Sequence, residues 1–475
     1  MTIFNDGNGS TRSHIVKSVD RSSAKSLAPL AAACVFNARG VISKPSFKLA
    51  RKTGEDDIKL RISSHEVEPR SWIAEPSWVC RSASMPLDMT PLHRGSQRFK
   101  TKSEAVENTM DRAVVMVCRQ SHRQSKKADW TAKIEGLRSW MADAMVKVRE
   151  GDESLPLRGK TVIDIFSGGN GGFSIGLASL GATIELACEI DPNARSVYAR
   201  NVRPKAMHDD ICTLSLKGRK VDIVTMGLLC QAFSPAGKGL GFADPKLAAA
   251  YKASMRVLEE VDAKVVIIEC SSKFLNLHGG KHSDELIGRM LASGYRAQHR
   301  ALNSKGFGVP QDRERSVLVF TRVELPVDTA MGFLFPEEAA PTMCVEDIME
   351  SDVPVTISES QLTLHSTEPS ERVGAPVRLG DIDGKKHQGY RVYSTKGIGI
   401  ALMAGSGGKG RFSGAYRVKG GARALTPREA CRLQGQPEWA AHHGMHTHAM
   451  RHSGNAIATP LARELGRQLF EILRA

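Results

Sequence analysis

One cysteine of this 475-residue chain stands where chemistry is expected. The apolar run 221–226 predicts a buried strand, and the segment after it contains Cys230 and then glycines at 237, 239 and 241. Ligands and reactions in open α/β sheets are found beyond the carboxyl ends of strands, and glycine permits loop conformations that other residues resist. Such a thiol can be a nucleophile, or it can be an ordinary buried cysteine before a surface loop. This stretch alone leaves both interpretations open.

A second glycine-rich turn lies earlier in the chain. A short strand is predicted over 161–166, the segment 167–172 reads Ser-Gly-Gly-Asn-Gly-Gly, and a further strand over 183–188 leads to Glu189, 21 residues after Gly168. Such glycines let the backbone approach a ligand at a helix N-terminus, and an acid at this distance can bind ribose hydroxyls. The spacing suits a dinucleotide and S-adenosylmethionine alike, and a tight turn without a ligand remains an alternative.

The elements that must position these residues alternate between strand and helix. Strands are predicted to end near Ile211 and to span 221–226, 264–268, 300–303 and 316–321, with helices over 173–180, 193–201, 248–261 and 284–293. This alternation predicts an α/β fold, a Rossmann-like, doubly wound and mostly parallel sheet.

The composition and the N-terminus argue against a protein built on disulfide bonds, a membrane-spanning protein and a secreted protein. The formal net charge of +15 favours a polyanionic partner such as nucleic acid. Nine dispersed cysteines without a Cys-x-x-Cys pair argue for reduced thiols rather than a disulfide framework. No apolar run approaches the ~20 residues needed to cross a bilayer, and the N-terminus has no signal pattern. We therefore expect a cytoplasmic protein without a membrane partner.

The sequence predicts four regions. Residues 1–102 form a basic, partly disordered extension, and 103–155 a helical segment that either packs on a larger domain or binds DNA. Residues 156–323, completed by 450–475, form the catalytic and cofactor-binding domain. Residues 324–449 form a small, loop-rich domain, within which Thr426, Pro427 and Glu429 predict a capped helix start. The histidines between 442 and 452 favour a solvated loop over a metal site, and no metal is expected.

Six short motifs follow one another in the last two-thirds of the chain. They are Phe-Ser-Gly-Gly-Asn-Gly-Gly at 166–172, Leu-Cys-Gln at 229–231, Glu-Cys-Ser at 269–271, Gln-Asp-Arg-Glu-Arg at 311–315, Arg-Ala-Leu-Thr-Pro-Arg-Glu at 423–429 and Gly-Asn-Ala-Ile at 454–457. Together they resemble the ordered motifs of the DNA (cytosine-5)-methyltransferase family, from about residue 160 to the end. The chain differs from the usual pattern in four places. The first loop has one extra residue, Leu229 replaces a proline, Cys270-Ser271 replaces Asn-Val, and the usual threonine is replaced near Ala401.

The resemblance implies a reaction at carbon 5 of cytosine. Adding a thiolate to carbon 6 breaks the aromaticity of the ring and makes carbon 5 nucleophilic, and Cys230 is the implied thiolate. Glu269 is implied to bind ring N3 and the exocyclic amine, for which it must be partly protonated. Arg315 is implied to hold the base O2, and Arg313 to pair with a backbone phosphate or to steady the cysteine loop.

The resemblance also implies S-adenosyl-L-methionine as the methyl donor. Glu189 is the implied ribose acid, and Ile190 stands where the family usually has an aromatic residue, so weaker stacking on adenine is expected. The complete implied cofactor site consists of Phe166, Gly168, Gly171, Gly172, Glu189, Ile190, Asp210, Ile211 and Asn455.

Duplex DNA is the implied substrate, and its target base must be flipped out of the stack to be reached. The residues expected to contact DNA are Gln231, Ser234, Lys238, Gln311, Arg391, Lys409 and Arg411, the last three within a target recognition domain at 324–449. We expect a monomer in a prokaryotic cell, with a cognate restriction endonuclease as a further partner.

Three alternative functions remain open on the sequence. The chain could be a catalytically weak or silent homologue that binds DNA as a regulator, or a tRNA cytosine-5 methyltransferase. An NAD-linked oxidoreductase could use the same half-fold, but it leaves Cys230, the Gln-x-Arg-x-Arg motif and the basic surplus unexplained.

Overall fold

A computed structural model describes most of the chain after residue 153. The described ranges are 154–228, 245–325, 333–405, 413–440 and 446–474, together with short segments of the first 153 residues. These residues divide into two compact units. One contains 1–155 and 437–439, and the other contains 156–436 and 440–475.

The first unit contains three antiparallel pairs of strands in its described part. They are β1 (Thr2–Asn5) with β2 (Arg12–Ile15), β3 (Ala31–Ala33) with β4 (Ser46–Lys48), and β5 (Ile58–Glu68) with β6 (Ser71–Cys80). Glu107 and Arg149 occupy helical positions within the predicted helical segment and form a buried ion pair of 3.0 Å between Oε1 and Nη2. Asn108 and Met145 also occupy helical positions, and apart from the strands above, these helical residues and 154–155, the rest of the two predicted regions lies outside the described residues.

A seven-stranded sheet forms the centre of the second unit. The strands of this region are β7 (Thr161–Ile165), β8 (Thr183–Cys188), β9 (Met207–His208), β10 (Lys220–Gly227), β11 (Asp262–Ser271), β12 (Tyr295–Asn303), β13 (Gln311–Asp312) and β14 (Glu314–Arg322). The sheet order is β12-β14-β11-β10-β7-β8-β9, and β13 lies outside it. Only β14 runs against its neighbours within this sheet. The predicted α/β, doubly wound and mostly parallel sheet is confirmed.

Helices cover both faces of this sheet. They are α1 (Gly172–Ala178), α2 (Pro192–Val202), α3 (Pro245–Glu260) and α4 (Lys281–Ala292), and the chain ends in α5 (Pro427–Leu433), α6 (His446–Asn455) and α7 (Thr459–Arg474). Ile163 and Ile165 of β7 pack into one apolar core with α3 and α4. Successive strand residues face opposite sides, so Asp164 points to the other face, where it contacts Ser174 of α1 and Tyr198 of α2.

A second, six-stranded sheet lies within the same unit. Its region contains β15 (Ile357–Ser358), β16 (Leu362–Leu364), β17 (Arg378–Ile382), β18 (Arg391–Tyr393), β19 (Gly399–Ile400), β20 (Ala415–Val418) and β21 (Gly421–Ala424). The order is β15-β21-β20-β18-β17-β16, while β19 pairs with β13. Because one compact unit contains both sheets, the predicted division at residues 323 and 449 stays a prediction.

Two predictions about the C-terminal third have different outcomes. The capped helix start is present, since the Thr426 hydroxyl accepts from the Glu429 amide and the Glu429 carboxylate accepts from the Thr426 amide. The predicted solvated histidine loop is wrong for residues 446–455, which form α6 and bury His452. The described residues contain no group of three His, Cys, Asp or Glu side chains arranged to hold a metal, and no helix among them is long and apolar enough to cross a membrane.

Candidate active site and cofactor site

The strands that lead into the glycine-rich turn and toward Cys230 lie side by side in the sheet. Strands β7 and β10 are parallel neighbours, with Ile165 opposite Met226. From β7 the chain continues outward to β8 and β9, and from β10 it continues the other way to β11. Ligands of doubly wound sheets bind in the crevice where the strand order reverses in this way. The glycine loop after β7 and the segment after β10 both begin at that crevice.

The glycine loop has a backbone that favours glycine at two of its predicted positions. Gly168 and Gly171 have φ values of 64° and 60°, and Phe166 also has a positive φ of 54°. The Gly168 amide donates to Glu189 Oε2 at 2.9 Å, and the Asp191 amide donates to Oε1 at 2.9 Å. Burial raises the pKa of Glu189, and these two amides oppose the shift. Each carboxylate oxygen retains a lone pair for a further donor, so Glu189 can accept a ribose hydroxyl.

The loop packs closely on the C-terminal Gly-Asn-Ala-Ile motif. A Cβ atom on Gly172 would lie 2.3 Å from the Ile457 carbonyl oxygen, so only glycine fits there. Asn170 is fully buried and its Nδ2 donates to Ser453 Oγ at 3.3 Å. The one-residue-longer loop therefore turns a side chain inward, toward the helix that precedes the motif. His452 belongs to the same helix as Ser453 and lies against Gly169 of the loop, and burial lowers the pKa of its imidazole.

The remaining predicted cofactor residues have mixed environments. Ile190 is 68% exposed although it is large and apolar, as expected for a side chain that would cover an adenine ring. Ile211 is buried, and Asp210 accepts from the Cys212 amide at 2.9 Å in a turn after β9 rather than within a longer strand. Asn455 is exposed at the end of α6. The glycine backbone, the acid and the exposed apolar residue fit an adenosine-containing cofactor.

The residues predicted to hold the base meet at the ends of β11 and β14. Glu269 is 3% exposed, and its Oε1 lies 2.8 Å from Arg315 Nε. The Leu228 amide donates to the Glu269 carbonyl at 2.9 Å, which fixes the chain two residues before Cys230 beside this ion pair. Cys230 itself lies outside the described residues, as do Gln231, Ser234 and Lys238.

Comparison with known proteins identifies the family. The model of the C-5 cytosine-specific DNA methylase family matches residues 160–471. The chain belongs to this family. It is 33% identical over 305 residues to the type II methyltransferase M.HhaI of Haemophilus parahaemolyticus, which covers 63% of this chain and 91% of that protein. It is 29% identical over 341 residues to M.HpaII of Haemophilus parainfluenzae, which covers 66% and 90%.

A solved structure shows the same fold. An Escherichia coli DNA modification methyltransferase encoded within a prophage superimposes with a TM-score of 0.50 at 18% identity, over 67% of this chain and all of that one. The family membership confirms the predicted activity class, cytosine-5 methylation of DNA, and the predicted cofactor, S-adenosyl-L-methionine.

Arg313 corrects one prediction for this methylase. It is 2% exposed, and its guanidinium donates at 2.9 Å to the carbonyls of Leu402, Gly454 and Ala456. A buried guanidinium held by three carbonyls cannot reach a DNA phosphate, so the phosphate role is wrong. Arg313 instead holds the segment after β19 against the motif that packs on the glycine loop.

Gln311 corrects a second prediction. Its side chain is fully buried, Nε2 donates to the Leu433 carbonyl at 2.8 Å, and Oε1 accepts from the Leu402 amide at 2.9 Å. Both ends of the amide have protein partners in the interior, so the predicted DNA contact is wrong. Gln434, which the sequence reasoning missed, has a similar role, since its Nε2 donates to the Ser453 carbonyl at 2.6 Å.

The other predicted DNA contacts stay predictions. Arg391 is partly exposed on β18 of the six-stranded sheet, while Lys409 and Arg411 lie outside the described residues. Sequence reasoning also missed Asp164, which is 1% exposed in the middle of β7. A single acid inside the apolar run Thr-Val-Ile-Asp-Ile was the signal that could have found it, because a buried carboxyl group requires partners.

Proposed function

We propose that this protein methylates carbon 5 of cytosine in duplex DNA through a covalent adduct with Cys230, after flipping the target base into the crevice between β7 and β10. The observation that carries the proposal is the Glu269–Arg315 ion pair of 2.8 Å beside the strand end that leads to Cys230. The pair provides an acceptor and a cation beside the strand end from which the chain continues to Cys230, and addition to a cytosine ring requires an acceptor, a cation and a thiol.

The proposed roles follow from the electron flow in the ring. The Cys230 thiolate forms a bond to carbon 6, and N3 takes up a proton that passes from solvent through the Glu269 carboxylate once the base has entered the crevice. Arg315 donates to O2 and keeps Glu269 oriented. Once carbon 5 carries the methyl group, loss of the carbon-5 proton to water, return of the N3 proton to Glu269 and departure of the thiolate from carbon 6 restore aromaticity.

The cofactor supplies an electrophilic methyl group on a sulfonium centre. The chain holds it with the glycine loop at 167–172, with Glu189 on the ribose and with Ile190 over the adenine. Close packing of Gly172 on Ile457 keeps that loop in place. These residues orient the donor toward the crevice into which the base is flipped.

The substrate assignment adds further proposals. The six-stranded sheet with Arg391, together with Lys409, Arg411 and the 231–242 loop, would contact the duplex. We further propose that the protein is a monomer that methylates a specific sequence in the prokaryotic cytoplasm, with a cognate endonuclease as a further partner; the bacterial type II methyltransferases among its relatives support the prokaryotic setting. Bisulfite sequencing of DNA from expressing cells reads the recognition sequence directly, and sedimentation of the purified protein reads its oligomeric state.

Transfer of a tritiated methyl group tests the enzyme assignment. Wild type is expected to label duplex DNA, Cys230→Ala to label none, and Glu269→Gln to lose at least about a hundredfold in rate. Equal, background labelling by wild type and Cys230→Ala, with DNA binding intact, would instead show a silent DNA-binding homologue. Preferential labelling of tRNA over duplex DNA would show an RNA methyltransferase.

A further inference from the structure

A closed group of four polar side chains lies under the cofactor loop. Asp164 Oδ2 lies 2.6 Å from Ser174 Oγ and 3.1 Å from the Tyr198 hydroxyl, and Asp164 Oδ1 accepts from Thr225 Oγ1 at 2.8 Å. Ser174 Oγ and the Tyr198 hydroxyl are themselves 2.5 Å apart. Asp164, Ser174, Tyr198 and Thr225 are each 1% exposed or less.

These contacts need more hydrogens than the hydroxyls carry. Four oxygen–oxygen contacts of hydrogen-bond length require four hydrogens, one between each pair. Ser174, Tyr198 and Thr225 supply one hydrogen each. If Asp164 were ionised, Ser174 and Tyr198 would both donate to it, and two lone pairs would face each other across 2.5 Å.

A neutral Asp164 removes this conflict. Its own proton on Oδ2 donates to Ser174 Oγ, Ser174 donates to the Tyr198 hydroxyl, and Tyr198 donates back to Oδ2. Thr225 satisfies Oδ1. All four contacts then contain one hydrogen, in a closed ring of the kind in which hydrogen bonds strengthen one another.

The surroundings also favour the neutral acid. Burial raises the pKa of Asp164 to about 6, and the hydrogen bonds that Ser174, Thr225 and Tyr198 donate to the ionised form oppose this shift. Glu189 is the charged group that faces it, from the end of β8, and its negative charge raises the Asp164 pKa further. The groups contributed by the neighbouring α1, α2 and β10 are hydroxyls.

The ring joins the elements that form the active site. Ser174 lies in α1, which starts at the glycine loop, and Tyr198 lies in α2, which follows Glu189 and Ile190. Thr225 lies in β10, two residues before the strand ends on the way to Cys230. A change in the ring is therefore transmitted to the loop, to the ribose acid and to the strand of the predicted nucleophile.

We propose that Asp164 is held as a neutral carboxylic acid in the folded protein, and that the ring its proton completes is a positioning device for the cofactor loop. Asp164 touches neither base nor cofactor in this role. The first part of the proposal is independent of the catalytic mechanism, and the second rests on the proposed cofactor site.

Infrared spectroscopy of the full-length protein tests the neutral acid. The difference spectrum between wild type and Asp164→Asn is expected to contain the carbonyl band of a protonated carboxylic acid at pH 6. Asparagine is the matched control, because its amide can fill all four contacts without a titrating proton. Absence of that band at pH 6 would overturn the proposal.

The Tyr198→Phe variant distinguishes the proposed ring from hydroxyl groups that simply donate to an ionised Asp164. In Tyr198→Phe the facing lone pairs disappear, so the carboxyl no longer needs its proton, and the pH midpoint of the infrared band is expected to fall by about one unit. If Tyr198 merely stabilised an ionised Asp164, its removal would raise that midpoint instead. A rise would therefore refute the ring.

Binding of S-adenosylhomocysteine, measured by calorimetry at pH 6, where the neutral acid is also tested, tests the positioning role. Asp164→Leu is expected to weaken binding at least tenfold, and Asp164→Asn to restore it to within about twofold of wild type. The control is Asp222→Asn at the start of β10, where the carboxylate accepts from Thr161 and Lys264 far from the loop. Equal losses in Asp164→Leu and Asp222→Asn, or unchanged binding in a folded Asp164→Leu variant, would refute the positioning role while leaving the methyltransferase assignment untouched.

Discussion

Two arginines that are two residues apart provide a sharp test of the structural assignments. Arg313 makes three bonds of 2.9 Å, one to the Leu402 carbonyl and two to carbonyls of the motif at 454–457, whereas Arg315 pairs with Glu269 at the crevice. Substitution of each by lysine keeps the charge and removes the planar fork. One ammonium group cannot replace a guanidinium that joins three carbonyls, so Arg313→Lys loses about two bonds from a charged donor.

The cost follows from the number of bonds lost. Each hydrogen bond from a charged donor contributes about 1.5–3 kcal/mol, so Arg313→Lys is expected to lower the free energy of unfolding by about 3–6 kcal/mol. Arg315→Lys keeps a cation beside the buried Glu269 carboxylate, so no buried charge is left unpaired, and its effect on the free energy of unfolding is expected to be less than half that of Arg313→Lys. Its methyl transfer rate is expected to fall at least about tenfold, because a lysine places one donor at O2 less accurately.

Guanidinium chloride unfolding, followed by circular dichroism, measures the two stabilities, and initial rates of tritium transfer measure the two activities. The expected pattern is a large fall in the free energy of unfolding for Arg313→Lys. For Arg315→Lys we expect a fall in the methyl transfer rate with a much smaller change in the free energy of unfolding. The reverse pattern, or equal effects of both substitutions on both quantities, would refute the assignment of Arg313 to the interior and of Arg315 to the base.

Three further predictions concern the cofactor site and the C-terminal helix start. Ile190→Trp adds an aromatic ring at a 68% exposed position. Stacking of this ring on the adenine, worth about 1–3 kcal/mol, is expected to tighten S-adenosylhomocysteine binding at least about fivefold in calorimetry. Unchanged affinity would place the adenine elsewhere. Burial raises the pKa of Glu189, so the ionised ribose acceptor is lost as pH falls through that raised value, and cofactor affinity should fall with it. A Glu189→Gln variant should lack this fall at low pH, and parallel profiles of the two proteins would contradict the role. Thr426→Ala removes the capping hydroxyl at α5 and should lower the free energy of unfolding by about 0.5–2 kcal/mol. Thr426→Ser keeps the hydroxyl and should retain stability. Equal losses in the two variants would contradict the cap.

Strand periodicity was sufficient for two strands of the central sheet, whereas the predicted strand at 300–303 covers only the end of β12. The predicted strands at 183–188 and 221–226 agree with β8 and β10 to within one residue at each end, because most residues of both strands are apolar and buried. The antiparallel direction of β14 could not be predicted in the same way. Strand direction depends on how the connection crosses the sheet, and the 304–313 segment between β12 and β14 is a short return.

The site was predictable only in part, for a physical reason. Motifs name residue types in order, and they located Glu269, Arg315 and Glu189 at the crevice. They did not distinguish a charged side chain that faces a ligand from one that faces the interior, so Gln311 and Arg313 received roles at the DNA. Which of these side chains is buried depends on the packing of residues 402, 433 and 454, more than 80 positions further along the chain.

Trapping of the covalent adduct tests the central claim most directly. The duplexes have mixed sequence and contain 5-fluorocytosine in place of cytosine. Breakdown of the normal adduct requires removal of the carbon-5 hydrogen as a proton, and fluorine at this carbon cannot be removed in that way, so the adduct persists after methyl transfer. Wild type with S-adenosylmethionine is predicted to form a DNA–protein adduct that withstands denaturation, with mass spectrometry locating the modified base on Cys230. A wild-type protein that binds duplex and cofactor yet forms no adduct, or one that forms it on another residue, would contradict the account.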